Sequence, residues 1–357
     1  MMRSGLARGT ALLIGAAVAA VTATAALLAT VRSPASLPRH GHRTGETGCQ
    51  PGALGAEKPI HLGFSPGAMA ITPDGRTAYV TNYSANTVTP IDLATGKPGR
   101  PIKAGNRASA IAIAPDGRTA YLPNHGVSGN GDTVTTIRLG AGRPGRKIKV
   151  GEDPGAIAIT LDGRTAYVAN YLGNSLTPIT LATGTPGRRI SAGNEPGAIV
   201  ITPDGRTAYV TNYSANTVTP IDLATGKPGR PIKVGITPWA IAIRPDGRTA
   251  YVTNFGWPGT GDTVTPITLA TGKPGHAITV GKGPTAIAIT PDGETAYVAD
   301  SGQDNGHTVT PIDLSTRRPG RPINVGKDPI AITITANGCV AYVSNGRSDT
   351  ITPIRIR

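Results

Sequence analysis

The stretch Ala68-Met69-Ala70-Ile71-Thr72-Pro73-Asp74-Gly75-Arg76-Thr77-Ala78-Tyr79-Val80-Thr81-Asn82 recurs with small changes along the chain. Near-copies begin at Ala110, Ala156, Ala198, Ala240, Ala286 and Ala331. Repetition at a period of roughly 20–50 residues is typical of folds in which each unit buries its apolar faces against its neighbours. The fold therefore follows from one unit and from the way in which the copies stack.

One unit predicts four antiparallel strands, which we name A to D. Residues 68–72 alternate small and large apolar side chains and predict strand A, buried on both faces. Pro73-Asp74-Gly75 suits a tight turn, because Pro presets φ and Gly accepts a positive φ. Residues 77–82 are rich in Tyr, Val and Thr and predict strand B. Residues 87–92 predict strand C, and residues 101–104 predict a short strand D.

The spacing of the copies predicts the number of units. The strand B tyrosine recurs at Tyr79, Tyr121, Tyr167, Tyr209, Tyr251, Tyr297 and Tyr342, with spacings of 42, 46, 42, 42, 46 and 45. This period, with four strands per unit, predicts an all-β fold, a seven-bladed β-propeller. Pro90 and its counterparts lie inside strand C, where proline predicts a bulge or an unpaired position.

The N-terminal segment predicts export. Arg3 and Arg8 precede an uncharged, Ala-, Leu- and Val-rich run over residues 11–31. This is the layout of a signal peptide over residues 1–31, with Ala23-Thr24-Ala25 as one candidate cleavage site. The run is also long enough to span a bilayer, so an N-terminal anchor stays open as the alternative. Both alternatives place the rest of the chain outside the cytoplasm.

The two ends of the chain complement each other. Residues 32–58 are rich in Gly, Pro, His and Arg without periodicity and predict a flexible linker. Pro59-Ile60-His61-Leu62-Gly63 matches the strand D pattern of residues 231–235, whereas the last copy ends after strand C at residues 350–355. We expect the N-terminal strand to complete the last blade, which makes residues 59–357 one domain.

The repeat resembles the YVTN-type β-propeller family. The naming motif stands as Tyr79-Val80-Thr81-Asn82, Tyr209-Val210-Thr211-Asn212 and Tyr251-Val252-Thr253-Asn254, with looser forms at Tyr167, Tyr297 and Tyr342. The resemblance covers residues 59–357. It implies a propeller fold and a secreted or cell-surface protein. Similar propellers also carry enzymes such as lactonases, so the resemblance does not choose between binding and catalysis.

The chain is basic, with 35 Lys and Arg against 21 Asp and Glu and a formal net charge of +14. Much of this excess is the same basic residues copied into each turn and strand D. It is interpreted either as a solvated rim or as a face attracted to anionic envelope polymers and lipid head groups. Nucleic acid is not expected as a partner, because aromatic residues make up only 4% of the chain. A monomer is expected.

The sequence contains none of the usual catalytic or metal-binding motifs. The six histidines are scattered, and there is no His-x-x-x-His, Cys-x-x-Cys or Gly-x-Ser-x-Gly pattern. The recurring Asp of Pro-Asp-Gly is interpreted as a turn former. The Asn that ends strand B is interpreted as capping loop backbone groups. No catalytic residue, metal ligand or cofactor is assigned.

A candidate pocket is predicted where the repeat is broken. The B–C loops differ between copies, and variable loops on a uniform scaffold are where sites usually lie. The departures concentrate at blades 5 and 6, in the residues Trp239, Phe255, Trp257, Asp300, Asp304 and His307. They predict an aromatic and acidic pocket for a sugar or a peptide. In the alternative interpretation, Trp239 plugs the channel mouth and Trp257 packs its own loop.

The sequence supports two hypotheses about function. The first is an exported, non-catalytic propeller that binds a cell-envelope protein, glycan or anionic polymer through its B–C loop face. The alternative is a lactonase-like hydrolase or lyase acting at the mouth of the axial channel. That activity would need several acidic or imidazole groups converging on the axis, for which the sequence offers Glu152, Asp153, Glu195, Asp328 and the blade 6 loop.

The two cysteines predict a disulfide. Cys49 precedes the N-terminal strand, and Cys339 lies in the A–B turn of the blade which that strand completes. An exported protein meets an oxidising environment, in which such a pair forms a bond if the geometry allows it. In the alternative interpretation both thiols stay unpaired.

Overall fold

A computed structural model describes residues 49, 54–63, 65–302 and 306–356. It confirms the predicted seven-bladed β-propeller, in which the sheets have the order A-B-C-D and are antiparallel. The predicted signal peptide and most of the predicted linker lie outside these residues. Apart from a short 3₁₀ turn at Val127–Gly129, the described secondary structure is β.

The strand bounds repeat from blade to blade. The A strands are Pro66–Ile71, Ala112–Ile113, Pro154–Ile159, Pro196–Ile201, Pro238–Ile243, Pro284–Ile289 and Pro329–Ile334. The B strands are Thr77–Asn82, Thr119–Asn124, Thr165–Asn170, Thr207–Asn212, Thr249–Asn254, Thr295–Asp300 and Val340–Asn345. The C strands are Thr87–Asp92, Thr133–Arg138, Ser175–Thr180, Thr217–Asp222, Thr263–Thr268, Thr308–Asp313 and Thr350–Arg355.

Strand D is short and divided in most blades. Its bounds are Lys97–Pro98 with Ile102–Lys103, Arg143–Lys149, Thr185–Pro186 with Ile190–Ser191, Lys227–Pro228 with Ile232–Lys233, Lys273–Pro274 with Ile278–Thr279, Arg318–Pro319 with Ile323–Asn324, and Gly55–Ala56 with Ile60–His61. The predicted strand D covered only the second of the two pieces.

The hydrophobic core lies between neighbouring blades. One cluster joins Ala68 and Tyr79 of blade 1 to Ile111 and Leu122 of blade 2, all of which are buried. Burying an Ile or Leu side chain contributes about 1.5–3 kcal/mol relative to leaving it exposed. Strand A lies innermost, packed against the A strands of its neighbours, and small Ala side chains allow this close approach.

The strand C proline explains the divided strand D. Pro90 pairs with Tyr79 without a register shift, so there is no bulge between strands B and C. On the other side, pairing with strand D stops between Val88 and Ile91, where proline has no N–H to donate. Blade 2 has Thr136 at this position, and its strand D is one continuous strand. The proline therefore marks an unpaired position, as predicted.

The N-terminal strand closes the ring, as predicted. Ile60 and His61 pair with Ile351 and Thr350 of the last C strand. Gly55 and Ala56 pair with the same strand, so the ordered blade begins earlier than Pro59, inside the segment predicted to be linker. The side chains of Glu57 and Arg355 form an ion pair across this junction, 2.7 Å between Oε1 and Nη2.

The two cysteines lie at the same junction. Cys49 and Cys339 are joined by a disulfide, with their Cα atoms 5.4 Å apart. Cys339 lies in the turn before Val340–Asn345, and its side chain is buried. The bond thus connects the segment before the N-terminal strand to the blade that this strand completes.

A repeated polar unit fixes the loop end of each blade. In blade 3, Asn170 ends strand B and its Nδ2 donates to the Ser175 and Thr177 hydroxyls, at 3.1 and 2.9 Å. The Gly151 N–H, at the end of strand D of the preceding blade, donates to Asn170 Oδ1 at 3.1 Å. Five other blades repeat the pair of Asn-to-hydroxyl bonds, through Asn82, Asn124, Asn212, Asn254 and Asn345. The Asn therefore ties strand B to strand C in six blades. In blade 3 it also binds the connector that precedes strand A of that blade.

Gly151→Ala is expected to destabilise the protein by about 1–3 kcal/mol, the usual cost of overpacking a tight site. A Cβ at Gly151 would lie 2.5 Å from Asn170 Cγ, so the buried amide would have to move. Gly155→Ala is the matched control in the same blade, because a Cβ there meets nothing within 4 Å. Urea unfolding of the two variants tests the expectation, and equal losses would contradict it.

Candidate functional site

The B–C loops and the connectors from strand D to the next strand A lie at the same end of the blades, which we call the loop face. Two positions in each blade form its inner part. One is the residue that follows the strand B Asn, and the other lies in the connector from strand D to the next strand A. Backbone bonds hold the two together, as where the Tyr171 N–H donates to the Asp153 carbonyl at 2.8 Å and the Tyr213 N–H donates to the Glu195 carbonyl at 3.0 Å. Both positions adjoin the innermost strand, so they lie at the inner edge of the loop face.

A run of aromatic side chains crosses blades 3, 4 and 5, and we call it the aromatic row. Its members are Tyr171, Tyr213, Trp239, Phe255 and Trp257. Consecutive ring centroids are 6.1, 5.7, 5.0 and 6.3 Å apart, in tilted and edge-to-face arrangements. Such pairs stabilise one another beyond their buried area. Trp257 is 49% exposed and the other four are partly buried, so the row presents apolar ring surface to solvent.

Trp239 forms the centre of the row because of its position in strand A. It is the second residue of that strand in blade 5, and the equivalent residues elsewhere are Gly67, Ser109, Gly155, Gly197, Thr285 and Ile330. Its ring lies between those of Tyr213 and Phe255. The indole Nε1 is buried without a hydrogen-bond partner among the described residues. The large side chain thus fills space that small residues leave open in most blades.

The loop that carries Trp257 is held by its backbone. The Trp257 N–H donates to Thr237 Oγ1 at 2.8 Å, and the Gly261 N–H donates to the Phe255 carbonyl at 2.9 Å. A Cβ at Gly261 would lie 2.3 Å from the Asn254 carbonyl, so the loop needs glycine there. The Trp257–Pro258 peptide is cis. The two hydrogen bonds fix the backbone at the outer end of the aromatic row.

Polar side chains extend from the aromatic row toward blade 1, and we call them the polar arc. Its members are Tyr83, Arg107, His125, Asp153 and Glu195. Each connector side chain reaches the residue after strand B of the preceding blade. The Arg107 guanidinium lies 5.6 Å from the Tyr83 ring centroid, and Asp153 Oδ1 contacts His125 Nδ1.

Glu195 joins the polar arc to the aromatic row. The Tyr171 hydroxyl donates to Glu195 Oε2 at 3.0 Å, and the Ser214 hydroxyl donates to the same oxygen. Burial, and then the nearby Glu195 carboxylate, raise the pKa of Tyr171 far above its ordinary value. The same two causes raise the pKa of Tyr213 to about 12. Phenols are protonated at neutral pH, and these upward shifts keep both O–H groups protonated in alkaline solution as well.

The predicted pocket residues do not all come together. Trp239, Phe255 and Trp257 are adjacent, but the Asp300 side chain is turned into blade 6 and is 2% exposed. It accepts hydrogen bonds from the Thr310 and Thr308 hydroxyls at 2.6 and 3.3 Å, and burial raises its pKa to about 7. Asp300 therefore occupies the structural position of the Asn in the other blades and does not face a ligand.

The remaining predicted residues belong to the blade 6 loop. Asp304 lies outside the described residues. His307 is exposed just before strand C of that blade, and its carbonyl accepts the Val325 N–H at 2.7 Å. The blade 5 and blade 6 loops meet at Gly283, where a Cβ would lie 2.8 Å from Gly302 N and 3.1 Å from Gly259 O.

Sequence reasoning missed Tyr171 and Tyr213 as members of the aromatic row. They stand directly after the strand B Asn, in the position of Phe255, and that shared position was the available signal. Three of the four acidic residues named for the channel mouth contact a separate partner each, Asp153 with His125, Glu195 with Tyr171, and Asp328 with the Ser301 hydroxyl. The fourth, Glu152, is exposed.

Two features are absent from the described part of the chain. No group of three or more His, Cys, Asp or Glu side chains there is arranged to hold a metal ion. None of its helical segments has the length and apolar character needed to cross a membrane.

Comparison with known proteins supports the architecture. A solved structure of Kuenenia stuttgartiensis hydrazine synthase is similar, with a TM-score of 0.73 and 24% sequence identity over 83% of this chain and 97% of that one. No family model and no curated protein matches the sequence, so the resemblance to the YVTN-type repeat stays a prediction. At this identity the structural similarity shows the β-propeller fold alone.

Proposed function

We propose that this chain is an exported, non-catalytic propeller that binds a glycan of the cell envelope along the aromatic row. The observation that carries the proposal is the unbroken contact of five rings across blades 3 to 5. The C–H face of a sugar ring packs well on an aromatic face, which carries negative quadrupole charge. A row of such faces suits several sugar units of one chain better than a single small molecule.

Polar groups beside the row would orient the sugar. The Glu195 carboxylate accepts hydrogen bonds from Tyr171 and Ser214, and the hydroxyls of a sugar are donors of the same kind. The Tyr213 hydroxyl, like any phenol, keeps its proton at neutral pH and can donate a hydrogen bond to a sugar oxygen. Apolar surface with a few placed polar groups is the usual composition of a ligand site.

Export is supported by the closing disulfide and by the N-terminal sequence. Disulfides such as that between Cys49 and Cys339 form and persist mainly in oxidising compartments. Fractionation of a bacterial host, with mass spectrometry of the unreduced protein, tests this part of the proposal. Recovery only from the cytoplasm, with both thiols alkylated, would contradict it.

Tryptophan fluorescence offers a direct binding assay, because Trp239 and Trp257 are the only tryptophans of the chain and both belong to the row. We expect tetrasaccharides of glucose, mannose or N-acetylglucosamine, titrated singly, to shift the emission of the native protein. Calorimetry then measures the affinity of the variants for the tetrasaccharide that binds. Trp257→Ala and Tyr213→Ala are each expected to weaken binding at least about tenfold, as for a central aromatic contact.

Leu161→Ala is the matched control for this experiment. It also removes an exposed apolar side chain, but from the A–B turn of blade 3 at the opposite end of the sheet. We expect it to bind as the native protein does. Unchanged affinity in both row variants, or saturable binding of peptides and of no glycan, would overturn the proposal.

A further inference from the structure

The first and last residues of the C–D turn form a cross-strand pair whose charges differ between blades. In blades 1, 4 and 6 the pairs combine opposite charges, namely Asp92 with Lys97, Asp222 with Lys227, and Asp313 with Arg318. In blades 3 and 5 the pairs are Thr180 with Thr185 and Thr268 with Lys273. In blade 2 alone, two arginines stand opposite each other, Arg138 and Arg143.

Like charges directly opposite on two strands destabilise the sheet, so the pair in blade 2 lacks the charge compensation present in blades 1, 4 and 6. Among the described residues, no carboxylate lies within 4 Å of the cationic groups of Arg138, Arg143 or the neighbouring Arg146. All three residues are exposed. The cluster therefore carries three positive charges that no described side chain neutralises.

The same residues line a cleft. Its volume is about 660 Å³, and its walls are formed by Arg138, Ala141, Arg143, Pro144, Gly145 and Arg146. The Arg146 guanidinium donates to the Thr183 carbonyl of blade 3, which fixes its position between the two blades. Strand D of this blade is continuous, with an irregular register against strand C between Thr135 and Ile137. Such irregularities re-aim side chains.

We propose that this cleft binds phosphate or sulfate groups of an anionic polymer. A guanidinium presents planar paired N–H donors that match the oxygens of such groups, and these charge-assisted bonds are among the strongest. Further cations continue along the outer wall on both sides, Lys97, Arg100 and Lys103 in blade 1, and Arg188 and Arg189 in blade 3. A polymer that enters the cleft therefore meets positive charge before and after it. The site is independent of the aromatic row.

Calorimetry with sodium tripolyphosphate as the probe tests the site. Arg146→Gln and Arg138→Asp are each expected to weaken binding at least about tenfold, because each removes charged hydrogen-bond donors. Arg138→Asp restores the opposite-charge pair of blades 1, 4 and 6, so we expect this variant to fold and to melt no lower than the native protein. Inorganic phosphate is expected to bind more weakly than tripolyphosphate, and a heparin disaccharide serves as the sulfate arm.

Arg230→Gln is the matched control, because Arg230 is the counterpart of Arg146 in blade 4 and Asp222 stands there in place of Arg138. We expect it to leave the affinity for tripolyphosphate unchanged. An equal loss of affinity in Arg230→Gln would show that binding depends on the overall positive charge, and it would contradict a specific site in the cleft. Absence of tripolyphosphate binding, or inorganic phosphate binding as tightly as tripolyphosphate, would overturn the polymer-binding cleft.

Discussion

Reduction of the Cys49–Cys339 disulfide is expected to lower the free energy of unfolding by up to about 5 kcal/mol, the value that the loop-entropy model gives for so long a loop. The bond joins residues 290 apart in sequence, so it removes much of the freedom of the unfolded chain. In the folded ring it acts where the N-terminal strand meets the last blade. Elsewhere at that junction, short strand pairings and the ion pair of Glu57 with Arg355 connect the chain ends.

Urea unfolding with and without a reducing agent measures this effect. The chain has two cysteines, so a reducing agent acts on this bond alone. The double variant Cys49→Ser with Cys339→Ser should unfold like the reduced native protein, and reduction should leave the variant unchanged. Equal stability of the oxidised and reduced native protein would contradict the expectation.

Asp300→Asn is expected to stabilise the protein on the order of 4 kcal/mol at pH 8, the free energy that corresponds to the raised pKa. Burial raises the pKa of Asp300 to about 7 from 3.8. Between these two values the folded state keeps a proton that the unfolded state has lost, so the stability of the native protein falls as the pH rises from about 4 to about 7. An asparagine carries no charge, and its Nδ2 can donate to Thr308 and Thr310 as the equivalent Asn does in other blades.

The pH dependence distinguishes this cause from simple repacking. The gain from Asp300→Asn should be largest above pH 7 and shrink as the pH is lowered toward 4. Asn212→Asp is the reciprocal variant in blade 4, where the side chain is equally buried and bonded to Thr217 and Thr219. It should lose stability with rising pH over the same range. A gain from Asp300→Asn that is constant between pH 5 and pH 8 would show that the carboxyl group is not its source.

The architecture could be predicted from local sequence because a propeller repeats one four-stranded unit. Turn chemistry such as Pro73-Asp74-Gly75 and the spacing of the strand B tyrosines depend on residues close in sequence. Ring closure followed from the match between residues 59–63 and the missing fourth strand of the last blade. The beginning of that strand at Gly55 was missed, because Gly55–Ala56 has no strand-like side chains and is held by pairing with Arg355 and Ile354.

The candidate site could be predicted only in part, because the prediction selected residues that depart from the repeat. That criterion found Trp239, Phe255 and Trp257. It passed over Tyr171 and Tyr213, which look like ordinary members of the repeat, and it selected Asp300, which the fold buries in the blade. Whether a side chain at the end of strand B, or directly after it, is buried in the blade or lies on the loop face depends on the residues that pack around it.

The sequence by itself determined the seven blades, their strands and the segment that closes the ring, because these depend on periodicity and on turn residues a few positions apart. The tertiary structure alone decided which side chains meet across blades. It placed Trp239 between Tyr213 and Phe255, and it joined Glu195 to Tyr171. These partners come from separate copies of the repeat, so their contact is fixed by how the blades pack and not by their spacing along the chain.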